Sequence, residues 1–404
     1  VTASATKARP SIALFTYSVK PRGSVVHAAS LAEALQAEGA DVTLYALAKS
    51  GDEFFRPLRC PLVLFPAARA PSAPDRLIEQ RIAELHAGFE RLSRRHDVYH
   101  AEDCLTASAL VTALPRLRPL VRTVHHVEAF ESHFLATCQR RSVEQAELLL
   151  SVSTRTAREV TESFGRASTV VYNGVDTERF ATTIARPLSI DERLAFPDDA
   201  LVVLSVGGAE ARKNTLRTLE GLIGVLHDNP RVHWVVAGGA SIWDHSENER
   251  RFDARVAELP EFVRRRIVRT GPVGETTLTW LYQRSAVLVA ASLHEGWGLS
   301  ALEGLAAGAA VVASATEPFT EFLDANVALL VDPQSSDAIA SAVGILVRDE
   351  ALRAQLAANG RARARAFSWR RTALAHLDAY RTLIAGDERA NPKTSPACAV
   401  EGGV

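Results

Sequence analysis

Two glutamates eight residues apart, Glu295 and Glu303, frame the part of the chain richest in chemistry, HEGWGLSALEGLAAGAAVVAS, His294 to Ser314. An apolar run ends near Ser292, a loop carries Glu295, and a short helix is expected from Ser300. Gly296 and Gly298 remove side chains where a backbone must approach something closely. Free N–H groups at the start of that helix, around Leu299 and Ser300, make a seat for phosphate. The plainer reading is a strand–turn–helix junction with surface glutamates, in which Ser300-x-x-Glu303 forms a capping box. A second junction, LSVGGAEARKNTLRTLEGL from Leu204 to Leu222, places Arg212 and Lys213 just before a helix. Two cations there suit a diphosphate leaving group, whose charge grows as its bond breaks. Taken alone, such a pair is also what a solvated surface carries.

Other candidates lie in the first half. YSVKPRGSVVHAASLAEAL reads as strand, glycine loop and amphipathic helix, with Gly23 and Ser24 at the helix start. His27 either covers that helix or binds a ligand. LVRTVHHVEAF puts His125 and His126 at a strand's end, the edge of an α/β sheet where ligands bind. A histidine satisfied by backbone is the alternative. His100, Glu102 and Asp103 end the preceding strand and could line the same cleft.

These residues need scaffolds to hold them. Short apolar runs alternate with helical patterns: 12–16, 42–47, 62–65, 98–100, 121–125, 148–152 and 170–172, then 201–206, 232–237, 267–269, 287–290, 311–313 and 328–331. Nearly continuous apolar strands between helices predict parallel sheets covered on both faces. So many strands exceed one comfortable open sheet and predict two α/β domains. Between Asn173 and Asp199, Asn-Gly, prolines and mixed charge replace the alternation and mark a linker. The expected units are residues 1–180, 181–366, a helix over 367–385 and a flexible tail over 386–404.

In this order the segments resemble the retaining, family 4 glycosyltransferases of the GT-B fold, whose E-x7-E signature matches Glu295 and Glu303. The resemblance runs from about residue 11 to 385. It takes in VYNGVD at 171–176, the base-cupping segment at 270–292, Glu321, and FSWRRTALAHLDAYRTLI at 367–384. It implies an α/β fold of two Rossmann-like domains facing a cleft, with the last helix crossing back to the first domain. It also implies transfer of a sugar from a nucleotide diphosphate sugar to an acceptor. Glu295 would contact the donor sugar and Glu303 the ribose hydroxyls. Gly296, Gly298, Leu299, Ser300, Gly23 and Ser24 would meet the donor phosphates. His125 would stand near the sugar, with Arg212 and Lys213 on the leaving group. His100, Glu102 and Asp103 are assigned to the acceptor side. The chain departs from the pattern at Ser24, where a second glycine is usual, and at Gly208, where many members carry an arginine. A nucleotide-sugar 2-epimerase and a catalytically silent GT-B subunit are the rival readings. A dinucleotide oxidoreductase ranks last, since no clean G-x-G-x-x-G follows the first strand.

Bulk properties set further bounds. A net charge of −1 argues against a dedicated nucleic-acid partner, whose phosphates demand a basic excess. No Asp-x-Asp occurs, so metal independence and no cofactor are expected, with Arg212 and Lys213 in place of a cation. Four scattered cysteines without metal or disulfide spacing, and a polar stretch over 1–10, read as a cytoplasmic protein. The segment 76–95 places Ile78, Ile82, Leu85, Phe89 and Leu92 on one helix face. Packing on the sheet is expected there, with weak peripheral contact to an anionic membrane through its arginines as the alternative.

Overall fold

The computed structural model describes residues 9–69, 71, 74–113, 117–130, 132–187, 192–239 and 246–390. Every one of the thirteen apolar runs becomes a strand. The first half orders β1 (Ser11–Thr16), α1 (Gly23–Ala37), β2 (Asp41–Lys49), β3 (Leu62–Ala67), α2 (Pro74–Glu90) and β4 (Val98–Ala101). It continues through α3 (Cys104–Ala113), β5 (Leu120–Val124), α4 (His133–Glu144), β6 (Leu148–Ser151), α5 (Thr154–Phe164) and β7 (Thr169–Val170). A short α6 (Thr177–Ala181) precedes β8 (Leu201–Val206), α7 (Thr215–Asp228), β9 (Val232–Ala237), α8 (Ser246–Ala257) and α9 (Glu261–Arg264). Then come β10 (Ile267–Gly271), α10 (Glu275–Arg284), β11 (Ser285–Ala290), α11 (Leu299–Ala307), β12 (Ala310–Ser314) and β13 (Ala328–Val331). The chain closes with α12 (Ser336–Arg348), α13 (Glu350–Ala364) and α14 (Trp369–Ala390).

Two parallel sheets result, in the orders β3-β2-β1-β4-β5-β6-β7 and β10-β9-β8-β11-β12-β13. Strand β1 pairs with β2 at Ile12↔Val42 and with β4 at Ile12↔Val98. Central strands are buried along their length because helices cover both faces, which is why they read as unbroken apolar runs. In each sheet the order reverses beside the first strand, between β1 and β4 and between β8 and β11. Ligands of such sheets bind beyond the strand ends at that reversal. Glu102 follows β4 at the reversal of the first sheet, while Arg212 follows β8 and Glu295 follows β11, so topology brings these last two together at the reversal of the second.

The halves meet at two adjacent chain crossings. The Val175 amide bonds the Phe367 carbonyl at 2.8 Å. A Cβ on Gly174 would lie 2.2 Å from the Trp369 nitrogen, so Gly174 serves close backbone approach rather than only a turn. Helix α14 returns to the first domain, where Ala373, Leu377 and Tyr380 join the core with α1. This helix runs to Ala390, five residues into the segment expected to be a tail; 391–404 lie outside the described residues.

Two further expectations change. Helix α6, assigned by sequence to the first domain, packs on the second: Val175 and Phe180 belong to the core around Leu281 and Leu302. The predicted 76–95 helix ends at Glu90, and Ile78, Leu85 and Phe89 of its apolar face are buried in the first-domain core. Among the described residues no helix is long and apolar enough to cross a membrane.

Candidate active site

Glu295 sits in the loop after β11 with a buried side chain. Lys213 Nζ donates to its Oε1 at 2.5 Å, Arg212 Nη1 to its Oε2 at 3.4 Å, and Ser292 Oγ to Oε1 at 2.9 Å. Burial pushes the carboxyl up, but Lys213 and Arg212 outweigh it and hold it at about 2. An oxygen pair held so low accepts hydrogen bonds and does not act as a proton donor at neutral pH.

Local sequence explains how the cations get there. Asn214 takes a left-handed conformation (φ 61°) and donates to the Ala291 and Pro333 carbonyls at 2.9 and 2.6 Å. That clamp turns the 211–213 helical turn toward the end of β11. A Cβ on Gly207 would come within 2.6 Å of the Lys213 side chain, so that glycine clears the lysine's path. Gly208 (φ 72°) lies against the Gly238–Gly239 backbone, where any larger residue is strained.

The α11 start has no side-chain cap, whereas α4, α5, α6, α12 and α13 are capped by Ser132, Ser153, Asp176, Ser335 and Asp349. Gly298 (φ 101°) begins the helix two residues before Ser300. Ser300 thus falls inside the first turn, and the capping box with Glu303 does not form. Glu303 instead accepts from Tyr282 Oη at 2.7 Å and pairs with Arg179 Nη1 at 3.4 Å. Burial raises its carboxyl above the ordinary range, with Arg179 and the tyrosine opposing. A Cβ on Gly296 would stand 1.7 Å from the His125 carbonyl oxygen, so the glutamate loop and the end of β5 touch through their backbones.

On the first-domain side, Gly23 and Ser24 open α1, and the Arg22 side chain does not cap it. Ser24 is helical, so the replaced glycine costs no strain. His125 Nε2 lies 2.9 Å from Glu102 Oε2. Burial, with help from Arg122, drives the ring well below the ordinary imidazole range. The acceptor-side assignment of His100, Glu102 and Asp103 needs correction. His100 is fully buried, with its ring nitrogens 2.6 Å from Tyr380 Oη and 2.7 Å from Thr123 Oγ1. Glu102 is fully buried too, and Asp103 accepts from the Tyr17 and Thr106 amides. All three are buried and engaged by groups of the protein itself rather than exposed to an acceptor. His27 is likewise fully buried in α1. Among the described residues His27, Glu102 and His125 form the one group with ligand atoms close enough for a metal, within 4.8 Å of one another.

Sequence reasoning did not single out Arg179, Tyr282 or Asn214 as site-builders, although Asn214 stands in the Arg-Lys-Asn run and Tyr282 in the base-cupping segment. Trp297, between the two glycines, stacks on Tyr172 and Phe322 with centroids 4.7 Å away in each case, tying the glutamate loop to the chain crossing. Glu321 accepts from the Thr154 and Arg155 amides at 2.9 and 3.1 Å, so the second domain caps a helix of the first.

Known proteins resemble this chain in sequence and in fold. The family described as "Glycosyl transferases group 1" matches residues 188–363, and "Glycosyltransferase Family 4" matches 21–179. A D-inositol 3-phosphate glycosyltransferase of Geodermatophilus obscurus is 30% identical over 363 residues, 81% of this chain and 77% of its own. One from Xylanimonas cellulosilytica is 28% identical and covers 89% of this chain and 91% of its own. Among solved structures, sucrose-phosphate synthase from Thermosynechococcus elongatus superposes with a TM-score of 0.75 at 22% identity, over 94% of this chain and 100% of that one. Anabaena HepE in complex with UDP-glucose gives 0.71 at 17% identity, over 95% and 100%.

Proposed function

This chain belongs to the family 4 glycosyltransferases of the GT-B fold, and on that premise we propose that it moves a sugar from a nucleotide diphosphate sugar to an acceptor, with retention and without a metal ion. One observation carries the reading: Lys213, Arg212 and the uncapped start of α11 surround Glu295 beyond the strand reversal of the second sheet. Fixed positive charge at that point stabilises a diphosphate as it departs.

Glu295, ionised across the working pH range, orients the sugar through its hydroxyls. A diphosphate seated on the α11 amides draws Lys213 and Arg212 partly away from Glu295. Charge therefore moves toward the leaving group as the bond breaks, and the departing phosphate takes the acceptor proton on the same face. Glu303, held by Tyr282 and Arg179, receives the ribose hydroxyls. His125 contacts the sugar from the first domain, and closure about the two chain crossings keeps water from the donor. HepE is seen with UDP and UDP-glucose, so UDP-sugars are the first donors to try. Relatives named for D-inositol 3-phosphate and for glycogen nominate polyol phosphates and glucans as acceptor classes.

The test is product analysis with UDP-glucose and a panel of both acceptor classes in the presence of EDTA. Nucleotide release that depends on acceptor and yields a glycoside supports the reading. An epimerised donor formed without acceptor makes the protein an epimerase instead.

A further inference from the structure

Four histidines and one carboxylate lie together under the cleft, on elements distant in sequence: His27 on α1, His100 on β4, His125 after β5, His376 on α14, and Glu102 after β4. Glu102 Oε2 is 2.9 Å from His125 Nε2 and 3.4 Å from His27 Nδ1, and its Oε1 is 3.6 Å from His100 Nε2. Side chains of Glu102, His27 and His100 are fully inaccessible, whereas His125 keeps 14% of its side chain exposed. His125 is therefore the member through which this cluster meets the cleft, and its carbonyl oxygen already abuts Gly296 of the glutamate loop.

We propose that Glu102 is a positioning residue which fixes His125 in a single tautomer, Nε2–H donated to the carboxylate and Nδ1 left as a lone-pair acceptor for a donor-sugar hydroxyl. The inference rests on the glycosyltransferase reading above and adds to it a residue that never touches substrate. A neutral imidazole carries one N–H, and the partner of one nitrogen decides which. Glu102 has no exposure to water, so a hydrogen bond there is costly to break and the ring cannot rotate away without orphaning a buried carboxylate. Burial keeps His125 and His27 neutral, His27 at about 3. Neither ring thus competes as a cation for the carboxylate. His100 is excluded as well, because its nitrogens face Tyr380 Oη and Thr123 Oγ1.

A divalent cation on His27, Glu102 and His125 is the competing use of the same atoms. The buried Arg122 guanidinium argues against it, since that positive charge already acts on Glu102, His125 and His100. A metal would add a second cation at the same buried carboxylate.

The experiment uses the full chain with 15N-labelled histidine rings, long-range proton–nitrogen spectra, and His125→Asn to identify the resonance. Wild type is expected to show His125 as the Nε2–H tautomer. Glu102→Gln can present an amide oxygen to the same N–H, keep the tautomer and retain most turnover. Glu102→Leu removes the acceptor, and kcat is expected to fall roughly 10- to 100-fold while donor KM stays put. A merely structural role would lower the melting temperature and leave the turnover of the folded fraction unchanged. Should the leucine variant fail to fold, the wild-type and glutamine spectra still decide the tautomer. An Nδ1–H tautomer in wild type, or undiminished kcat in Glu102→Leu, overturns the proposal. So does one zinc per chain by elemental analysis that disappears in Glu102→Leu. Absence of any transfer by wild type would count against the proposed function instead, and the spectra would still report on the lock.

Discussion

Replacing Glu295 by glutamine separates its two duties. In the native fold the carboxyl is held at about 2 against an ordinary 4.5, a difference worth about 3 kcal/mol at 1.36 kcal/mol per pH unit. Because the folded value is the lower one, this stability is present above about pH 4.5 and is lost as pH falls toward 2. Glutamine keeps hydrogen bonds to Lys213 and Ser292 but not the charge, so the loss at pH 7 should stay below that figure, at about 1–3 kcal/mol. The melting temperature should drop by several degrees, and its decline between pH 5 and pH 3 should be shallower than in wild type. Meanwhile Lys213 and Arg212, released from their carboxylate, remain free for a diphosphate. Nucleotide diphosphate affinity should therefore hold or rise while transfer falls by roughly a hundredfold or more, the scale of losing one preorganised charged group. Melting curves across pH, calorimetric titration with UDP and turnover per folded molecule together check it. Wild-type turnover in a destabilised Glu295→Gln protein would show that Glu295 only anchors the two cations, and the reasoning would fall.

Four other outcomes are expected. Transfer should survive EDTA, and activity lost to chelation and restored by Mg²⁺ would contradict this; Lys213→Ala should lower kcat more than it weakens nucleoside binding, and an unchanged kcat would contradict that. Glu303→Gln should keep its ligand-free melting temperature, because the amide oxygen still accepts from Tyr282 and burial already disfavours the charge paired with Arg179, yet weaken nucleotide diphosphate binding by roughly 10- to 150-fold; an unchanged Kd in titration would remove it from the ribose site. Gly296→Ala would push a methyl into the His125 carbonyl, 1.7 Å away, so the loop must shift; transfer should fall sharply while circular dichroism stays native, and normal kcat would show that the loop–strand contact is dispensable.

The two sheets are legible in the sequence because helices cover both faces of parallel strands, and that burial writes each strand as an unbroken apolar run. Glu295, Arg212 and Lys213 are legible as a set because short junctions at strand ends carry them, with glycines marking close approach. What escapes depends on tertiary placement. Arg179 sits in an ordinary short helix and matters only because α6 packs beside α11, across a boundary that the sequence places after residue 180. His100, Glu102 and Asp103 end a strand at the right edge, but α14 returns over them from the far end of the chain and seals His100 against Tyr380. Ser300-x-x-Glu303 spells a capping box, yet the positive φ of Gly298 starts the helix early and turns Glu303 toward Tyr282. Local patterns do not report that kind of shift.

The central claim is retaining, metal-free transfer from a nucleotide diphosphate sugar, and one time course tests it most directly. UDP-glucose, EDTA, the protein and a polyol-phosphate or glucan acceptor are followed by proton nuclear magnetic resonance at the anomeric signal. The α-linked donor signal should be replaced by that of an α-linked glycoside as UDP appears in equal amount, and only when acceptor is present. A β-linked first product, or transfer that appears only when Mg²⁺ or Mn²⁺ is supplied in excess of EDTA, would contradict the claim.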